Sequence, residues 1–354
     1  MARRRNLIDL LDELAPGVRD AFIESMARIT SSVQIAALED AIRRGDTTAV
    51  LEIIRMDAEF FAPLDRAIRG AYEAGGDQVM AELQRMARGQ GFQVSGFFGE
   101  NDPAVARWLA DQSSRRIVEI TGDKREIIRQ ALEAAAERGT SPRNAALDLV
   151  GRVSKATGRR EGGLIGLTEQ QAGWADKALQ ELLDGDANYF TRKARDRRFD
   201  RTVAKAILEG RGVPVEQARR IVSRYRDGLL RYRGETIART ELLGSLHHSQ
   251  AEALAQMVRR ENLRPDAVSE EWDAANDSAT RQSHRAMDGQ KRQAGQPFVT
   301  GAGYLMRYPG DSSLGAPVKE IANCRCHVRI RVDFISGLRD RLTDEERRSA
   351  LEAM

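Results

Sequence analysis

The sequence predicts a mostly α-helical protein, with a body of several helices followed by a small C-terminal α+β module. Three observations support this fold class. Aromatic residues make up only 5% of the chain, which argues against an all-β sandwich. Amphipathic patterns of helical period dominate the sequence up to about residue 262. After Pro265 these patterns stop, and alternating apolar and polar residues typical of strands appear.

The length and the charge balance limit the functional classes. A chain of 354 residues is long enough for two or three domains and a substantial core. Its formal net charge of +3 is too small to indicate a nucleic-acid-binding protein by itself. No apolar run approaches the roughly 20 residues that a membrane-spanning helix needs, and two cysteines exclude a disulfide framework. We therefore expect a protein without a membrane partner that stays in the cytosol or joins an assembly.

The first of four predicted parts is a helical region over residues 1–100. Apolar residues from Leu7 to Leu14 share one helix face, and we expect Pro16 to end that helix. A longer helical pattern extends over residues 64–86, with an interruption expected at Gly75 and the glycine that follows it.

The second predicted part is a helical bundle over residues 101–262. It contains two similar pieces, each a helix that ends at Arg-Gly and is followed by a proline in the next helix. The prolines are Pro142 and Pro214. These helical hairpins fit either packing within a bundle or insertion into a DNA groove.

The densest basic run, residues 191–201, also lies in this bundle. Its candidate DNA contacts are Arg192, Lys193, Arg195, Arg197 and Arg198. A solvated helix face explains such a run as well as contact with a phosphate backbone does.

The third and fourth parts are an α+β module over residues 263–335 and a C-terminal helix over residues 336–354. In the module we predict a strand at Val268–Trp272, a helix capped by Asp277, a long loop over residues 289–322, and a strand alternating from Val328 to Phe334. Thr343 and Glu346 are spaced as a capping box for the last helix.

Residues with metal-binding chemistry are concentrated in the module. Asp277, Arg281 and His284 would share one face of the predicted helix, while Cys324 and Cys326 would share the buried face of the last strand. If the helix packs over the strand, His284 and the two thiols supply three ligands for a structural zinc ion. The Cys-x-Cys spacing is shorter than in the usual zinc motifs, which argues against a metal site. The alternative is that both cysteines act as small buried apolar residues.

A fourth ligand would come from Asp277, His247 or His248. The two adjacent histidines cannot both face one site, because neighbouring helix positions point in different directions. We expect them to form a polar surface or interface pair.

Several of these residues occur in an order that resembles the phage head morphogenesis proteins of the phage Mu F type, also called minor head or minor capsid proteins. The resemblance covers about residues 110–334. Its recurring elements are an Arg-Thr-Glu helix, a Trp followed by Asp-x-x-x-Arg-x-x-His, an Asp-Gly turn and a late Asn-Cys-Arg-Cys segment. The residues that carry it here are Arg239, Glu241, Trp272, Asp277, Arg281, His284, Gly289, Asn323, Cys324 and Cys326.

This resemblance implies a component of the virion that is present in few copies in the head, close to the portal. It implies a role in head assembly, DNA packaging or DNA ejection. The expected partners are the portal, the major capsid protein or a scaffolding protein, with packaged DNA as a further contact. The protein would lie in the head interior or portal region of the virion, and in the host cytoplasm during assembly.

A different class of function is a metal-dependent hydrolase or nuclease, or a toxin-like enzyme, built on Asp277, His284, Cys324 and Cys326. The sequence contains no Ser-His-Asp order, phosphate-binding glycine loop or His-Glu-x-x-His motif that names such a chemistry. We therefore expect a structural protein and not an enzyme.

Overall fold

The computed structural model describes residues 7–99 and 102–337, which form mainly helices with a few short antiparallel strands, as the sequence predicted. The helices are α1 (Leu7–Ser32), α2 (Ile35–Arg43), α3 (Thr47–Ile53), α4 (Ala62–Gly89), α5 (Pro103–Thr121), α6 (Lys124–Glu137), α7 (Pro142–Val150), α8 (Glu169–Asp184), α9 (Asp200–Leu208), α10 (Val215–Glu261), α11 (Gln282–Arg285), α12 (Val318–Ile321) and α13 (Phe334–Gly337). The strands are β1 (Arg152–Val153), β2 (Arg160–Glu161), β3 (Val268–Asp273), β4 (Lys291–Gln293), β5 (Phe298–Val299), β6 (Leu305–Met306) and β7 (His327–Val332). The capping box at Thr343 and Glu346, and the helix predicted over residues 336–354, lie outside the described residues apart from the end of α13.

The described residues divide into two compact units that interleave along the sequence. The first unit contains residues 7–18, 66–99, 102–110 and 236–337, and the second contains residues 19–65 and 111–235. Each unit therefore collects segments that are distant in the sequence. The division into four consecutive parts stays a prediction.

Helix α1 continues through Pro16, where the sequence predicted its end. A proline inside a helix removes one backbone hydrogen bond and costs about 3 kcal/mol. The apolar face nevertheless continues beyond it, since Val18 and Phe22 are as fully buried as Leu11 before it. Burying each such side chain stabilises the fold by roughly 1.5–3 kcal/mol, which offsets the cost of the proline.

Helix α4 also continues through the predicted interruption at Gly75 and Gly76. A β-carbon at position 75 would lie 2.6 Å from Ser249 Oγ and 2.7 Å from Leu246 Cδ2 of α10. The glycines therefore allow close helix packing and do not break the helix. Their cost in helix propensity, about 1 kcal/mol each, is offset by this packing.

In the second unit, the helices of both predicted pairs are present. Helix α6 is followed by α7, with Pro142 at its first position, and α9 is followed by α10. Two buried arginines of α10 hold the glycine-rich segment before α8. Arg226 donates to the carbonyl of Gly162, and Arg233 donates to the carbonyl of Gly166 at 2.8 Å.

In the first unit, the C-terminal strands form an antiparallel sheet in the order β4-β3-β7. Trp272 on β3 lies opposite Val328 on β7. The predicted strand at 268–272 is confirmed as β3. The later strand is confirmed as β7, although Phe334 starts α13 instead of ending the strand. The alternation holds, because Val328, Ile330 and Val332 are buried while the residues between them are exposed.

The C-terminal half of α10 packs along this sheet. Gln250 donates from Nε2 to the carbonyl of Val328 at 3.0 Å, and Thr240 Oγ1 accepts the backbone N–H of Asn323 at 3.3 Å. These two contacts, a little under three helical turns apart on α10, fix the helix against the segment that carries both cysteines.

The segment over residues 289–322 contains β4, β5, β6 and α12, where the sequence predicted a long loop. Contacts with other residues of the same chain hold this segment in place. The carboxylate of Asp311, 2% exposed, accepts backbone N–H groups from Arg307 and Ser313, each at 2.8 Å. Arg292 forms an ion pair with buried Glu270 at 3.0 Å and lies 4.0 Å above the ring of Phe298.

Candidate metal centre

Two thiols and one imidazole converge beside the sheet of the first unit. The ligand atoms of His284, Cys324 and Cys326 all lie within 4.8 Å of one another, and all three residues are buried. Nδ1 of His284 lies 3.4 Å from Sγ of Cys324 and 3.6 Å from Sγ of Cys326. The sequence placed these three residues together as a candidate metal site, and the structure brings them together.

Short elements hold the three side chains. His284 lies on α11, and its ring meets the indole of Trp272 edge-on at 5.5 Å. The cysteines lie just before β7 and not on it, although the sequence placed them on the last strand. Both are nevertheless buried, and both sulfurs lie close to one imidazole nitrogen.

The two thiols share their titration. A hydrogen bond with Cys324 lowers the pKa of Cys326 to about 5, against the opposite effect of burial. The same hydrogen bond, together with burial, raises the pKa of Cys324. The two thiols therefore titrate as a pair, with Cys326 losing its proton more readily than Cys324.

A buried carboxylate completes this cluster on the other side of the imidazole. Glu320 on α12 is 5% exposed, and its Oε2 lies 3.2 Å from Nε2 of His284, although the N–H is not aimed along that line. Ser283 donates its hydroxyl to the same oxygen at 2.8 Å. Sequence reasoning missed Glu320, because no local pattern around it indicates that α12 packs against α11.

Asp277 and Arg281 lie outside this cluster, and the helix predicted to begin at Asp277 begins only at Gln282. The Asp277 carboxylate instead caps a turn, accepting the backbone N–H of Ala279 at 3.0 Å, and pairs with Arg325 at 2.6 Å. The predicted shared face of Asp277, Arg281 and His284 was therefore wrong. The capping signal was real, but the chain forms a turn and an extended residue before the helix starts.

The other residues that carry the family resemblance form contacts within or next to the C-terminal module. Arg281 donates to the carbonyl of Ala322, just before the cysteines. Gly289 donates its N–H to the carbonyl of Trp272 at 2.9 Å, which closes the connection from α11 to β4. On α10, Arg239 pairs with Asp12 at 3.3 Å, and Glu241 is half-buried.

Comparison with protein families identifies a similarity over part of the chain. Residues 197–329 match the family described as Phage Mu protein F like protein. We call residues 197–329 the Mu F-like segment, because they are similar to this family. It contains Trp272, His284 and both cysteines. No curated protein and no solved structure matches the chain.

Within the Mu F-like segment, His247 and His248 do not form the expected polar surface pair. His247 is 1% exposed, and its Nδ1 lies 2.9 Å from the carbonyl oxygen of Leu243. The ring of His248 stacks on Trp108 at 4.1 Å, and its Nδ1 lies 2.8 Å from the hydroxyl oxygen of Tyr72. Burial lowers the pKa of each histidine to about 4. Neither histidine belongs to the metal cluster.

The basic run enters the Mu F-like segment at Arg197. It is not one helix face, because short 3-10 turns at Ala187–Thr191 and Arg197–Phe199 precede α9. Arg192 makes two hydrogen bonds to Glu181 at 2.6 and 2.7 Å, and Arg195 makes two to Asp200 at 3.0 Å.

The remaining cations of the run are exposed. Arg198 pairs with Asp196 at 2.6 Å, and Lys193 and Arg197 are also exposed. Two of the five candidate DNA contacts therefore face partners inside the protein, and a role for the other three stays a prediction. Among the residues that the structure describes, no helix has the length and apolar character to cross a membrane.

Proposed function

We propose that this protein is a minor structural component of a phage head that acts near the portal, in head assembly, DNA packaging or DNA ejection. The observation that carries this proposal is the match of residues 197–329 to the Phage Mu protein F like family, which suggests head morphogenesis. The proposed partners are the portal, the major capsid protein or a scaffolding protein. The proposed location is the head interior or the portal region.

The arrangement of the cluster supports binding and not catalysis. His284, Cys324 and Cys326 are each only 1–2% exposed, so a substrate has no direct path to them. Asp277, which the enzyme alternative includes, pairs with Arg325 and does not join the cluster. The four residues of that alternative therefore do not line one open site.

Helix α10 holds the segment that carries both cysteines in a fixed position. This helix runs without interruption over 47 residues, and its C-terminal half is fixed to the Cys-containing segment through Thr240 and Gln250. A module held in this way presents a fixed surface, which suits a protein that works by docking on a larger assembly.

Mass spectrometry of purified particles tests the proposal. We expect peptides of this chain in immature heads or mature virions at a few copies per particle. Particles grown from a phage that lacks the gene are the matched control, and they identify any signal that comes from contaminating host material. Absence of the chain from immature and mature heads alike would contradict the proposal.

Cross-linking of intact heads then distinguishes the partners. Cross-links to the portal would support a location near the portal, and cross-links to the capsid shell alone would contradict that part of the proposal. Particles that contain scaffolding protein must be compared with particles that have lost it, since a scaffold-bound chain would leave the head together with the scaffold.

A further inference from the structure

Distances within the Cys–His cluster match those of a metal site. Tetrahedral zinc has Zn–S bonds of about 2.3 Å and Zn–N bonds of about 2.0–2.1 Å, which places a sulfur and a nitrogen ligand about 3.6 Å apart. The two observed distances from His284 Nδ1 to the sulfurs are 3.4 and 3.6 Å. The cluster therefore already has the sulfur–nitrogen separations of a zinc tetrahedron.

Hydrogen bonding, including the bond between the two thiols, accounts for only one of the two close approaches between the imidazole nitrogen and a sulfur. One imidazole nitrogen of a neutral ring either donates one proton or accepts one, so it pairs well with only one of two sulfurs at a time. A metal ion placed between the nitrogen and both sulfurs satisfies all three atoms at once.

Glu320 lies where the outer-shell carboxylate of a zinc-bound histidine lies. Its negative charge, 3.2 Å from Nε2, favours a proton on that nitrogen even though the N–H is not aimed along the line between them, and this tautomer leaves a lone pair on Nδ1 on the side of the sulfurs. Ser283 holds the carboxylate in place from the same turn of chain. Carboxylates that contact the far nitrogen of a histidine ligand are the usual second shell of zinc sites.

Charge and burial favour the same conclusion. A buried thiolate without a partner is costly, whereas one divalent ion, two thiolates and a neutral imidazole sum to zero charge. Thiolate and imidazole ligands together suit zinc better than calcium or magnesium, which prefer oxygen ligands.

We propose that His284 Nδ1, Cys324 Sγ and Cys326 Sγ bind one zinc ion, and that Glu320 orients His284 as its outer-shell carboxylate. The ion joins α11 to the chain that enters β7, and its role is structural because the ligands are buried. This inference does not depend on the proposed role in the phage head.

Metal analysis of the full-length protein, purified without chelators, tests the site. We expect one equivalent of zinc per chain, and its loss in Cys324→Ser and in Cys326→Ser. The matched control is His327→Gln. His327 follows Cys326 directly, but its ring faces Asp273 at 2.9 Å, so this variant should keep its zinc. Loss of zinc from His327→Gln to the same extent as from Cys326→Ser would overturn the assignment.

Two measurements keep the test valid if a cysteine variant fails to fold. Wild-type protein stripped by a chelator should rebind one zinc ion in competition with a chromophoric chelator, and should bind Co²⁺ with the strong visible absorption of a tetrahedral thiolate site. Glu320→Gln should still bind one equivalent, with an affinity roughly 10–100-fold lower. Folded wild-type protein that takes up neither ion would overturn the proposal, and an unchanged affinity in Glu320→Gln would overturn the role of Glu320.

Discussion

Gly76 lies so close to the ring of Phe98 that a β-carbon at position 76 would overlap three ring atoms. Phe98 is 5% exposed and also packs against Tyr72, with their ring centroids 5.7 Å apart. The ring of Phe98 therefore occupies the space that a side chain at position 76 would fill. A glycine that looks like a helix break in the sequence is a packing residue in the fold.

The first prediction follows from this contact. Gly76→Ala should lower the free energy of unfolding by about 1–3 kcal/mol, because overpacking forces the Phe98 ring or the helix to move. Gly70→Ala is the control on the same helix. Position 70 has open space around it, so alanine should raise stability by about 0.5–1 kcal/mol through helix propensity. Denaturant unfolding measures both, and equal effects would contradict the role assigned to Phe98.

The second prediction concerns the turn at Gly310, which approaches α10. A β-carbon at position 310 would lie 3.0 Å from the Cα and the nitrogen of Gly244, in a backbone conformation with φ +89°. Gly315 has a similar φ of +85° with open space around it. Gly310→Ala should therefore destabilise the protein more than Gly315→Ala, which reports the cost of positive φ alone. Thermal unfolding of the two variants checks the difference, and equal losses would exclude a close contact.

The third prediction is a loss of stability in mild acid that depends on His248. Its pKa is about 4 in the fold and about 6.5 in an unfolded chain, so the unfolded state takes up the proton first as the pH falls. The contribution of His248 to the free energy of unfolding is fully present above pH 6.5. As the pH falls from 6.5 towards 4, this contribution decreases by about 1.4 kcal/mol per pH unit.

Urea unfolding at pH 7 and pH 5 measures this dependence. Between pH 7 and pH 5, the free energy of unfolding of His248→Gln should fall by about 2 kcal/mol less than that of the wild type, since glutamine does not titrate. Tyr72→Phe is the control, because it removes the hydroxyl that contacts His248 but keeps the imidazole. It should be less stable at both pH values and keep the pH dependence. An unchanged pH dependence in His248→Gln would show that this histidine is not the group that titrates.

The fourth prediction separates internal from exposed cations in the basic run. Arg192 is 12% exposed and binds Glu181 through two nitrogens, so Arg192→Ala should cost about 1–3 kcal/mol by leaving a carboxylate of low exposure unpaired. Lys193→Ala, at the next position, should change stability by less than about 0.5 kcal/mol because this residue is exposed. Similar unfolding midpoints for the two variants would contradict the ion-pair assignment.

How far the sequence predicts the fold depends on how local each signal is. The period-two pattern correctly predicted strand β7, because alternation follows from backbone geometry alone. Cys324 and Cys326 are buried as predicted, but they precede the strand and do not lie on it. Asp277 was correctly predicted to cap the chain but was assigned to a helix, since the same side-chain hydrogen bonds stabilise a turn as well as a helix. Pro16 was misjudged because burial elsewhere on α1 outweighs its local cost. Glu320 was not predictable, because its contact with His284 arises only when α12 packs on α11.

The last prediction tests DNA contact by the exposed part of the basic run. Binding of duplex DNA weakens as salt rises, with a log–log slope of about −0.9 for each phosphate contact. If Lys193 and Arg197 each contact a phosphate, Lys193→Ala combined with Arg197→Ala should reduce the magnitude of that slope by about 1.8. Arg195→Gln is the control, since Arg195 is bound to Asp200 and should not contribute to the slope. Because Arg192 and Arg195 are directed inward, we expect the wild-type slope itself to be shallow. A slope that the double substitution leaves unchanged would show that this run does not contact the phosphate backbone, and its charges would then serve only the fold.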